Sequence, residues 1–364
     1  MRVAIVAPLV SAIREPQRGG SQAFVSDLAR GLVGRGHDVD LYCASGSNVP
    51  GVRVVDTGVD PRALAATLYR ASGPAADGLA AAGAAFAGVY AAIRGVRYDV
   101  VHNHAFDPPA IRLATGVGAP VVHTLHLPPD AAVADALRDV ARSDRAPTVA
   151  GVSAAQADAW RRIVAVDAIL PPFVPTRLIR WSSSAGKGAV FAGRLSPEKG
   201  ASEAIEIARM AGVRIDVYGD PYDPDYARER IYPWRADPGV ALHGGVPRTA
   251  VWEVMARAAV VLCPARWQEP FGMVAAEAQA CGTPVVAFRC GALDEVVLDG
   301  VTGFLVAPDD ISSAAEAMTR AAQLSRPRCR DHAERQLDLE LSLDAHEQLY
   351  ARAARAGLEV PAGA

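Results

Sequence analysis

Short strand-like apolar runs alternate with helical stretches along the first half of the chain. The runs are RVAIVAP, DVDLYCA, RVVDTG, DVVHNH, PVVHTLH, TVAGVS and AILPPF. Between the first two, Phe24, Leu28 and Leu32 recur at helical spacing, and Gly34 and Gly36 end that helix. The other predicted helices are an alanine-rich stretch before DVVHNH, residues 108–115 and AAQADAWRRI. Strands that alternate with helices predict parallel βαβ units.

The same alternation returns after residue 187. The strand-like runs there are GAVFAGR, RIDVYGD, VALHGG, AVVLCPA, PVVAFRC and GFLVAP. The helical stretches are ASEAIEIARMAG, TAVWEVMARA, the segment after Phe271 and the segment after GFLVAP. Residues 330–356 are helical and charged on one face. The chain therefore predicts two similar α/β halves built on parallel sheets.

The two similar halves indicate two domains joined by a linker. Residues 171–187 carry three prolines and a serine cluster, which is typical of a linker. We therefore predict one Rossmann-like domain over residues 1–170, a second over residues 188–335, and a C-terminal helix over residues 336–364 that could pack back on the first domain. Open parallel sheets bind ligands beyond the carboxyl ends of their strands, and domain interfaces are favoured sites. We expect the two domains to face each other across a ligand cleft.

Composition narrows the class of protein. Of the 364 residues, 51% are hydrophobic and 21% are charged, which is typical of a globular chain. The net charge of −3 gives no reason to expect nucleic-acid binding. The 37 basic residues include only two lysines, Lys187 and Lys199, so the choice of lysine over arginine at position 199 is a candidate functional signal.

Cysteine usage and hydropathy indicate the compartment. The five cysteines show no C-x-x-C spacing, and buried reduced thiols explain them better than disulfides or a metal site. The longest apolar run, at residues 79–93, is shorter than the ~20 residues that a membrane span needs and consists mostly of alanine and glycine. We interpret it as a packed helix. With no signal-peptide pattern after Val3 to Ala7, we expect a soluble cytoplasmic protein.

Two carboxylates flank a predicted helix start. Pro270 and Gly272 break the preceding strand, and a buried helix begins near Met273. Its first backbone N–H groups have no internal partner and carry the positive end of the helix dipole, so they can hold a phosphate or sugar oxygen. Glu269 lies before these donors and Glu277 about two turns beyond them. Two acceptors around one anion-binding helix end point to a ligand with hydroxyls and phosphates, such as a nucleotide-sugar.

A second candidate segment follows the first strand of the second half. It reads GRLSPEKG and places Arg194 five residues before Lys199, ahead of a helix. Arginine offers a rigid fork for phosphate oxygens and lysine a mobile point charge, so the two cations could grip a pyrophosphate. The alternative is a surface turn with incidental charges.

Two further patterns lie in the first half. Gly19 and Gly20 open the first predicted helix, where paired glycines allow close approach to an anion, although a plain turn explains them as well. Four histidines cluster at the ends of two predicted strands, DVVHNH and PVVHTLH; they are His102, His104, His123 and His126. At least one of them could bind ligand or relay a proton, with a structural role and zinc binding as alternatives.

One acidic pair resembles a metal motif. Asp38 and Asp40 form a D-x-D sequence of the kind used by metal-dependent sugar transferases. They begin a predicted strand, however, and a solvated strand edge is the simpler interpretation.

The motifs together resemble the family 4 retaining glycosyltransferases with the GT-B fold. The matching segments are the glycine pair at 19–20, T-L-H at 124–126, GRLSPEKG at 193–200, EPFGMVAAEA at 269–278, ACGTPVVAFRCGALDEVV at 280–297 and DGVTGFLV at 299–306. The resemblance implies two Rossmann-like domains, with the acceptor on the N-terminal side and a nucleoside diphosphate-sugar donor on the C-terminal side. It also implies retention of configuration without a bound metal.

The resemblance implies a role for each matching residue. Arg194 and Lys199 would neutralise the donor pyrophosphate and stabilise the leaving group, and Glu277 would bind the ribose hydroxyls. His126 would lie near the donor sugar. The remaining implied donor contacts are Gly20 beside the phosphates and Glu269 with the backbone amides of Phe271, Gly272, Met273 and Val274 around the sugar. The catalytic candidates are thus Arg194, Lys199, His126 and Glu269, and the acceptor candidates are Gln22 and His104.

The sequence does not identify the acceptor molecule. The hinge reads ILPPFVPTRL where the family commonly has a P-N-G-V turn, and no aromatic follows the first strand to stack on an acceptor ring. Residues 1–170 contain 16 arginines and 15 acidic residues, which indicates no strong basic patch for a membrane. We therefore expect a soluble acceptor, such as a natural product or small metabolite. Alternatives are an envelope lipid or polysaccharide acceptor, a nucleotide-sugar epimerase, or a binder that has lost transfer.

Overall fold

The computed structural model describes residues 1–17, 19–67, 76–184 and 186–359. The chain divides into two compact units, which we call the N-terminal unit and the C-terminal unit. The N-terminal unit comprises Met1–Arg14, Ser21–Pro171 and Ser342–Ala364. The C-terminal unit comprises Glu15–Gly20 and Pro172–Leu341.

All strands belong to two parallel sheets among the described residues. In chain order they are β1 (Arg2–Val6), β2 (Asp38–Cys43), β3 (Arg53–Asp56), β4 (Val100–Asn103), β5 (Val121–Thr124), β6 (Thr148–Gly151), β7 (Ala168–Ile169), β8 (Ala189–Ala192), β9 (Ile215–Tyr218), β10 (Val240–His243), β11 (Val260–Cys263), β12 (Val285–Phe288) and β13 (Gly303–Val306). Each coincides with one of the predicted apolar runs. The prediction of two parallel-sheet α/β halves is confirmed.

The helices alternate with these strands. In chain order they are α1 (Gly20–Gly34), α2 (Ala76–Arg94), α3 (Pro108–Ala114), α4 (Ala131–Val140), α5 (Ala154–Arg161), α6 (Ala201–Met210), α7 (Pro224–Tyr226), α8 (Arg248–Arg257), α9 (Met273–Ala280), α10 (Leu293–Val296), α11 (Ile311–Ala321), α12 (Arg326–Gln336) and α13 (Leu339–Glu359). The alanine-rich prediction corresponds to α2, and part of that stretch, residues 68–75, lies outside the described residues.

The two sheets share the order of their first six strands, and β7 adds a seventh to the N-terminal sheet. The N-terminal sheet runs β3-β2-β1-β4-β5-β6-β7 and the C-terminal sheet β10-β9-β8-β11-β12-β13. Counted from the first strand of each unit, both follow the doubly wound order 3-2-1-4-5-6. The order therefore reverses between β1 and β4 in one unit and between β8 and β11 in the other. Ligands of open α/β sheets bind beyond the carboxyl ends of the strands at this switch point.

Within the predicted linker, residues 172–184 and 186–187 belong to the C-terminal unit. Two nearly buried guanidinium groups hold this stretch: Arg326 Nε donates to the carbonyl of Ser182 at 2.8 Å, and Arg330 Nη1 donates to the carbonyl of Ile179 at 3.0 Å. Each bond satisfies a charged donor that would otherwise be costly to bury. These hydrogen bonds anchor the stretch to the C-terminal unit, and the role of residues 171–187 as a linker stays a prediction.

The end of the chain consists of two helices where the sequence indicated one. Asp338 separates α12 from α13: its Oδ1 accepts the backbone N–H of Glu340, and its Oδ2 accepts the hydroxyl of Thr176. Such an aspartate at a helix start offers an acceptor for free N–H groups and favours a new helix over continuation. From Ser342 onward the chain groups with the N-terminal unit.

The apolar run at residues 79–93 is a packed helix, as predicted. It lies in α2, whose Phe86 and Tyr90 have no exposed surface and belong to the apolar core on one face of the sheet. The hydroxyl of Tyr90 donates to the carbonyl of Ala110 at 2.8 Å. Across the described residues, we find no helix with both the length and the apolarity that crossing a bilayer requires.

The D-x-D pair is structural, but only half of it is solvated. Asp40 is 2% exposed, and its carboxylate contacts the guanidinium groups of Arg2 and Arg53 and accepts the hydroxyl of Tyr98. Burial with cationic partners is the stable arrangement for a carboxylate in a sheet core. The solvated strand edge predicted for both residues therefore holds for Asp38 alone.

The five cysteines are free thiols. Cys43, Cys281, Cys290 and Cys329 are buried and Cys263 is partly buried. Burial raises the pKa of the Cys43, Cys263 and Cys329 thiols to about 12, so they stay protonated and unreactive at neutral pH. The prediction of reduced thiols without disulfides is confirmed.

Candidate functional site

Two loops meet at the switch point of the C-terminal sheet. One follows β8 and carries Arg194 and Lys199; the other follows β11 and leads into α9. Gly200 joins them: it has a φ of 72°, and a Cβ there would lie 1.9 Å from the carbonyl oxygen of Pro264. Only glycine fits this contact. The backbone N–H of Arg266 also donates to the carbonyl of Glu198 at 2.9 Å, which ties the loops together.

Lys199 and Glu269 form the centre of this site. Lys199 Nζ donates to Glu269 Oε2 at 2.7 Å, and the side chains are 23% and 14% exposed. Trp267 touches both: its indole Nε1 donates to the same carboxylate oxygen at 2.7 Å, and the Lys199 ammonium lies 4.6 Å from the ring centre. The structure thus brings together two predicted residues, seventy positions apart.

Trp267 was missed by the sequence analysis. Its position two residues before Glu269 was the signal that could have identified it, because a donor so close in sequence can orient a carboxylate. An ammonium over an indole face is stabilised by the ring quadrupole. The three side chains form one cluster, which we call the lysine–tryptophan–glutamate cluster.

Arg194 lies on the same loop as Lys199 with partners of its own. Its guanidinium contacts Glu198 Oε1 at 3.3 Å and lies 4.3 Å from the ring centre of Tyr222. The side chain of Arg194 keeps 29% of its surface exposed. An aromatic ring under a guanidinium holds its plane while leaving donors open. Arg194 can therefore bind an anion without leaving Tyr222.

The amino end of α9 has the geometry that anion binding requires. Gly272 caps the helix with a φ of 101°, and a Cβ there would lie 2.7 Å from a methyl carbon of Leu293. The amides of the first turn, from Met273, have no partner inside the helix. Gly20 lies against this turn, since a Cβ on it would come within 3.0 Å of the Met273 sulfur. The side chain of Phe271 is buried against Phe173, so only its backbone can serve a ligand.

Glu277 is engaged by a cation that the sequence analysis did not identify. Arg248 Nε donates to Glu277 Oε1 at 2.5 Å, and both side chains are nearly buried, at 10% and 8% exposure. The guanidinium also lies 4.9 Å from the ring centre of Trp252. The backbone N–H of Arg248 donates to Glu15 Oε2 at 3.0 Å. Glu277 is thus a charge-balanced acceptor, oriented before any ligand arrives.

The four histidines predicted at the strand ends lie close together at the carboxyl ends of β4 and β5. A fifth ring, His346, comes from α13 and lies 5.5 Å from the ring of His102. His102 Nδ1 lies 2.6 Å from the Tyr350 hydroxyl, and His102 Nε2 lies 2.7 Å from Thr124 Oγ1. His104 Nδ1 lies 2.9 Å from His126 Nε2.

Burial keeps these histidines neutral. It lowers the pKa of His123 and of His346 to about 4 and that of His126 to about 3, because an imidazolium loses hydration among apolar neighbours. The pKa values of His102 and His104 fall well below the usual range for the same reason, reinforced by the neighbouring rings. Each ring therefore carries one proton at neutral pH.

The structure does not give the two acceptor candidates open side chains. Gln22 is 8% exposed, and its amide donates to Ser11 Oγ at 2.5 Å. His104 has no exposed surface and contacts His126 instead. Strand-end position alone cannot show which ring faces outward, and the assignment of both residues to an acceptor stays a prediction. His126, in contrast, keeps part of its surface exposed.

No zinc or D-x-D metal site is visible in the part of the chain that the structure describes, where no three His, Cys, Asp or Glu side chains are grouped to hold an ion. In the histidine cluster, the rings contact one another, hydroxyls, a carbonyl and the side-chain amide of Asn103, and Asp40 is paired with arginines.

Two family models match successive parts of the chain. The model described as "Glycosyltransferase Family 4" matches residues 18–178, and the model described as "Glycosyl transferases group 1" matches residues 183–336. A curated relative, the D-inositol 3-phosphate glycosyltransferase of Acidothermus cellulolyticus, is 31% identical over 88% of this chain and 82% of its own length.

Solved structures share the fold over nearly the whole chain. AviGT4, a glycosyltransferase involved in avilamycin A biosynthesis, gives a TM-score of 0.71 at 24% identity and covers 98% of both chains. Anabaena HepE, solved with UDP-glucose, gives a TM-score of 0.73 at 19% identity over 98% of this chain and 100% of its own.

Proposed function

The chain belongs to glycosyltransferase family 4, with two parallel-sheet α/β domains of the GT-B fold, and on this premise we propose that it moves a sugar from a nucleoside diphosphate-sugar to the hydroxyl of a soluble acceptor. The proposal includes retention of configuration at the anomeric carbon and no requirement for a metal ion. The family likeness supports the reaction class, and the site supports the donor.

The lysine–tryptophan–glutamate cluster at the β8/β11 switch point carries the proposal. It places one cation and one carboxylate beside a free helix start, where a diphosphate and a sugar could bind together. Lys199 has three N–H donors, so it can keep its bond to Glu269 and still bind a phosphate oxygen. Arg194, on the same loop, supplies a second cation for the same group.

We assign the roles as follows. Arg194 and Lys199 stabilise the negative charge that develops on the nucleoside diphosphate as the glycosidic bond breaks. Glu269 accepts hydrogen bonds from sugar hydroxyls, and Glu277, oriented by Arg248, accepts them from the ribose. Gly20 and the amides from Phe271 to Val274 line the phosphate and sugar. His126 contacts the sugar, and a donor phosphate oxygen accepts the proton of the attacking hydroxyl.

For the acceptor, we propose a small soluble molecule with free hydroxyls. A curated relative is named for an inositol phosphate and a structural neighbour for the biosynthesis of a natural product, and both names fit this class. We propose that the enzyme works in the cytoplasm, because its five cysteines are free thiols and such thiols persist in reducing compartments.

Lysine footprinting tests the donor site directly, because the chain has only two lysines. We expect nucleoside diphosphates and their sugars to protect Lys199 from a lysine-selective reagent and to leave the exposed Lys187 reactive. Mass spectrometry of the two peptides measures both in one sample. Equal labelling with and without every nucleotide of a panel would contradict the proposal.

Product analysis tests the finer claims. A nucleotide-sugar identified by protection is incubated with candidate acceptors, and the anomeric coupling in the proton NMR spectrum of the product shows retention or inversion. Activity that disappears with EDTA and returns with manganese would show that the reaction needs a metal.

A further inference from the structure

We propose that His104 is a positioning residue for His126: it holds Nε2 of His126 in a hydrogen bond and leaves Nδ1–H as the group that meets the substrates. This inference rests on the proposed contact between His126 and the sugar. It assigns to His104 a function other than acceptor binding.

The contact between the two rings is specific. His104 Nδ1 lies 2.9 Å from His126 Nε2, which is within the range of an N–H···N hydrogen bond. Both rings are neutral, so one donates and the other accepts. His104 has no exposed surface, whereas His126 keeps part of its own. His126 is therefore the ring that can meet a ligand, and Nε2 is already in use.

The second nitrogen of His104 decides the direction of the bond. Its Nε2 is buried and has no hydrogen-bond partner among the described residues. If His126 donated, the proton of His104 would sit on that nitrogen as a buried N–H without an acceptor. If His104 donates from Nδ1, only a lone pair is left unpaired there. Orphaned buried N–H groups are rarer than under-satisfied acceptors, so His104 donates.

Neighbouring side chains keep His104 in this orientation. The ring of His102 lies 3.9 Å from it, centre to centre, and is itself held by Tyr350 and Thr124. Phe24 packs near both rings of the pair, at 6.2 Å from His104 and 6.4 Å from His126. Close packing of this kind restricts ring flips. The direction of the bond is thus built into the core of the unit.

The hydrogen bond from His104 determines which nitrogen of His126 can donate to a substrate. With its Nε2 lone pair accepting from His104, neutral His126 carries its proton on Nδ1. Such a ring donates a hydrogen bond to an oxygen of the sugar and does not take a proton through Nδ1. His126 therefore stabilises charge on the substrate, and the base must come from elsewhere.

Nitrogen NMR of histidine-labelled protein tests the assignment without relying on activity. Long-range proton–nitrogen correlations show which nitrogen of each ring is protonated, and a His126→Asn sample identifies the His126 signals. We expect protonation at Nδ1 of His126 and at Nδ1 of His104. Protonation at Nε2 of His126 in the wild-type protein would overturn the inference.

Paired variants separate positioning from packing. Asparagine carries its amide nitrogen on Cγ, as histidine carries Nδ1, so His104→Asn keeps a donor toward His126 that His104→Phe lacks. We expect His104→Phe to lower kcat about tenfold with little change in KM and to mix the tautomers of His126. We expect His104→Asn to retain the Nδ1–H tautomer and most of kcat.

The outcomes distinguish this inference from the proposed function. Equal kcat and an unchanged His126 tautomer in both His104 variants would overturn the positioning role. Full activity in His126→Ala would instead overturn the proposed contact with the sugar, whatever tautomer the wild-type protein shows.

Discussion

Lys199 donates a hydrogen bond from its ammonium group to the carboxylate of Glu269, and the indole N–H of Trp267 donates to the same carboxylate oxygen. The ammonium is thereby held over the Trp267 ring. We expect Lys199→Ala to lower kcat by about 10²–10³-fold, the usual cost of removing one preorganised charge from a transition state. The measurement is steady-state turnover with the donor identified by footprinting.

The matched control is Lys187→Ala, which removes the other lysine at an exposed position. We expect it to retain full turnover. Both variants should keep the thermal midpoint of the wild type within a few degrees, because partly exposed ion pairs contribute little to stability. Full activity in Lys199→Ala would remove the phosphate-binding role from this residue.

Trp267 orients the carboxylate that we assign to the sugar. Trp267→Phe keeps an aromatic ring under Lys199 and deletes the N–H donor to Glu269. We expect kcat/KM for the donor to fall by about 10- to 100-fold, since hydrogen bonds to charged groups contribute about 1.5–3 kcal/mol. Free nucleoside diphosphate should bind as before, which calorimetry measures. Trp181→Phe, at a ring that is 42% exposed, is the control and should behave as wild type.

The Arg248–Glu277 pair links nucleotide binding to stability. Glu277→Gln leaves a nearly buried guanidinium without its counter-charge, so we expect the free energy of unfolding to fall by about 3 kcal/mol in urea titrations. Affinities for nucleotide and nucleotide-sugar should weaken alike. Adding Arg248→Met should recover much of the stability but none of the affinity. Unchanged calorimetric affinities in Glu277→Gln would argue against the ribose contact.

The buried histidines predict a pH dependence of stability. The pKa of His123 and of His346 is about 4 in the folded protein and about 6.5 in the unfolded chain, so the unfolded chain takes up protons first as the pH falls. Each ring then costs about 1.4 kcal/mol of stability per pH unit between about pH 6 and 4. The contribution of the two neutral rings to stability is fully present above about pH 6 and is lost as the pH falls from about 6 to 4.

Urea titrations at a series of pH values measure this slope. His346 Nδ1 donates to the carbonyl of Ser342 at 2.6 Å, and His346→Asn keeps a donor on Cγ without titrating. Between about pH 6 and 4, we expect the unfolding free energy of the variant to change with pH by about 1.4 kcal/mol per pH unit less than that of the wild type, the contribution of one proton. An identical slope in variant and wild type would mean that His346 is not buried in its neutral form.

The sheets could be predicted because their signal is local. A run such as that of β12 is apolar throughout, as expected for a strand covered on both faces, and apolar positions in the helices repeat every three to four residues. The helix α4 was missed, although Asp130 accepts the backbone N–H groups of Ala132 and Val133 at its start. The break at Asp338 was missed as well, although Asp338 Oδ1 accepts the backbone N–H of Glu340 two residues on.

The site could be predicted only in part, because partner choice depends on topology. Lys199 and Glu269 were found from strand-end loops, where the chain's own order indicates proximity. Arg248 lies 29 residues from Glu277, and His346 lies far along the chain from β4, so neither contact follows from spacing. Sequence motifs located the groups that we assign to a ligand, and three-dimensional packing supplied the groups that orient them.

The bond between His102 and Tyr350 spans 248 residues and joins β4 to the last helix of the chain. Because α13 from Ser342 onward belongs to the N-terminal unit, that unit begins to leave the ribosome first but is completed after the C-terminal unit. Residues 172–341 can complete their own core during synthesis, while the histidine cluster lacks His346 until α13 has been made. A chain truncated or stalled before α13 would thus carry an N-terminal unit without His346 and Tyr350.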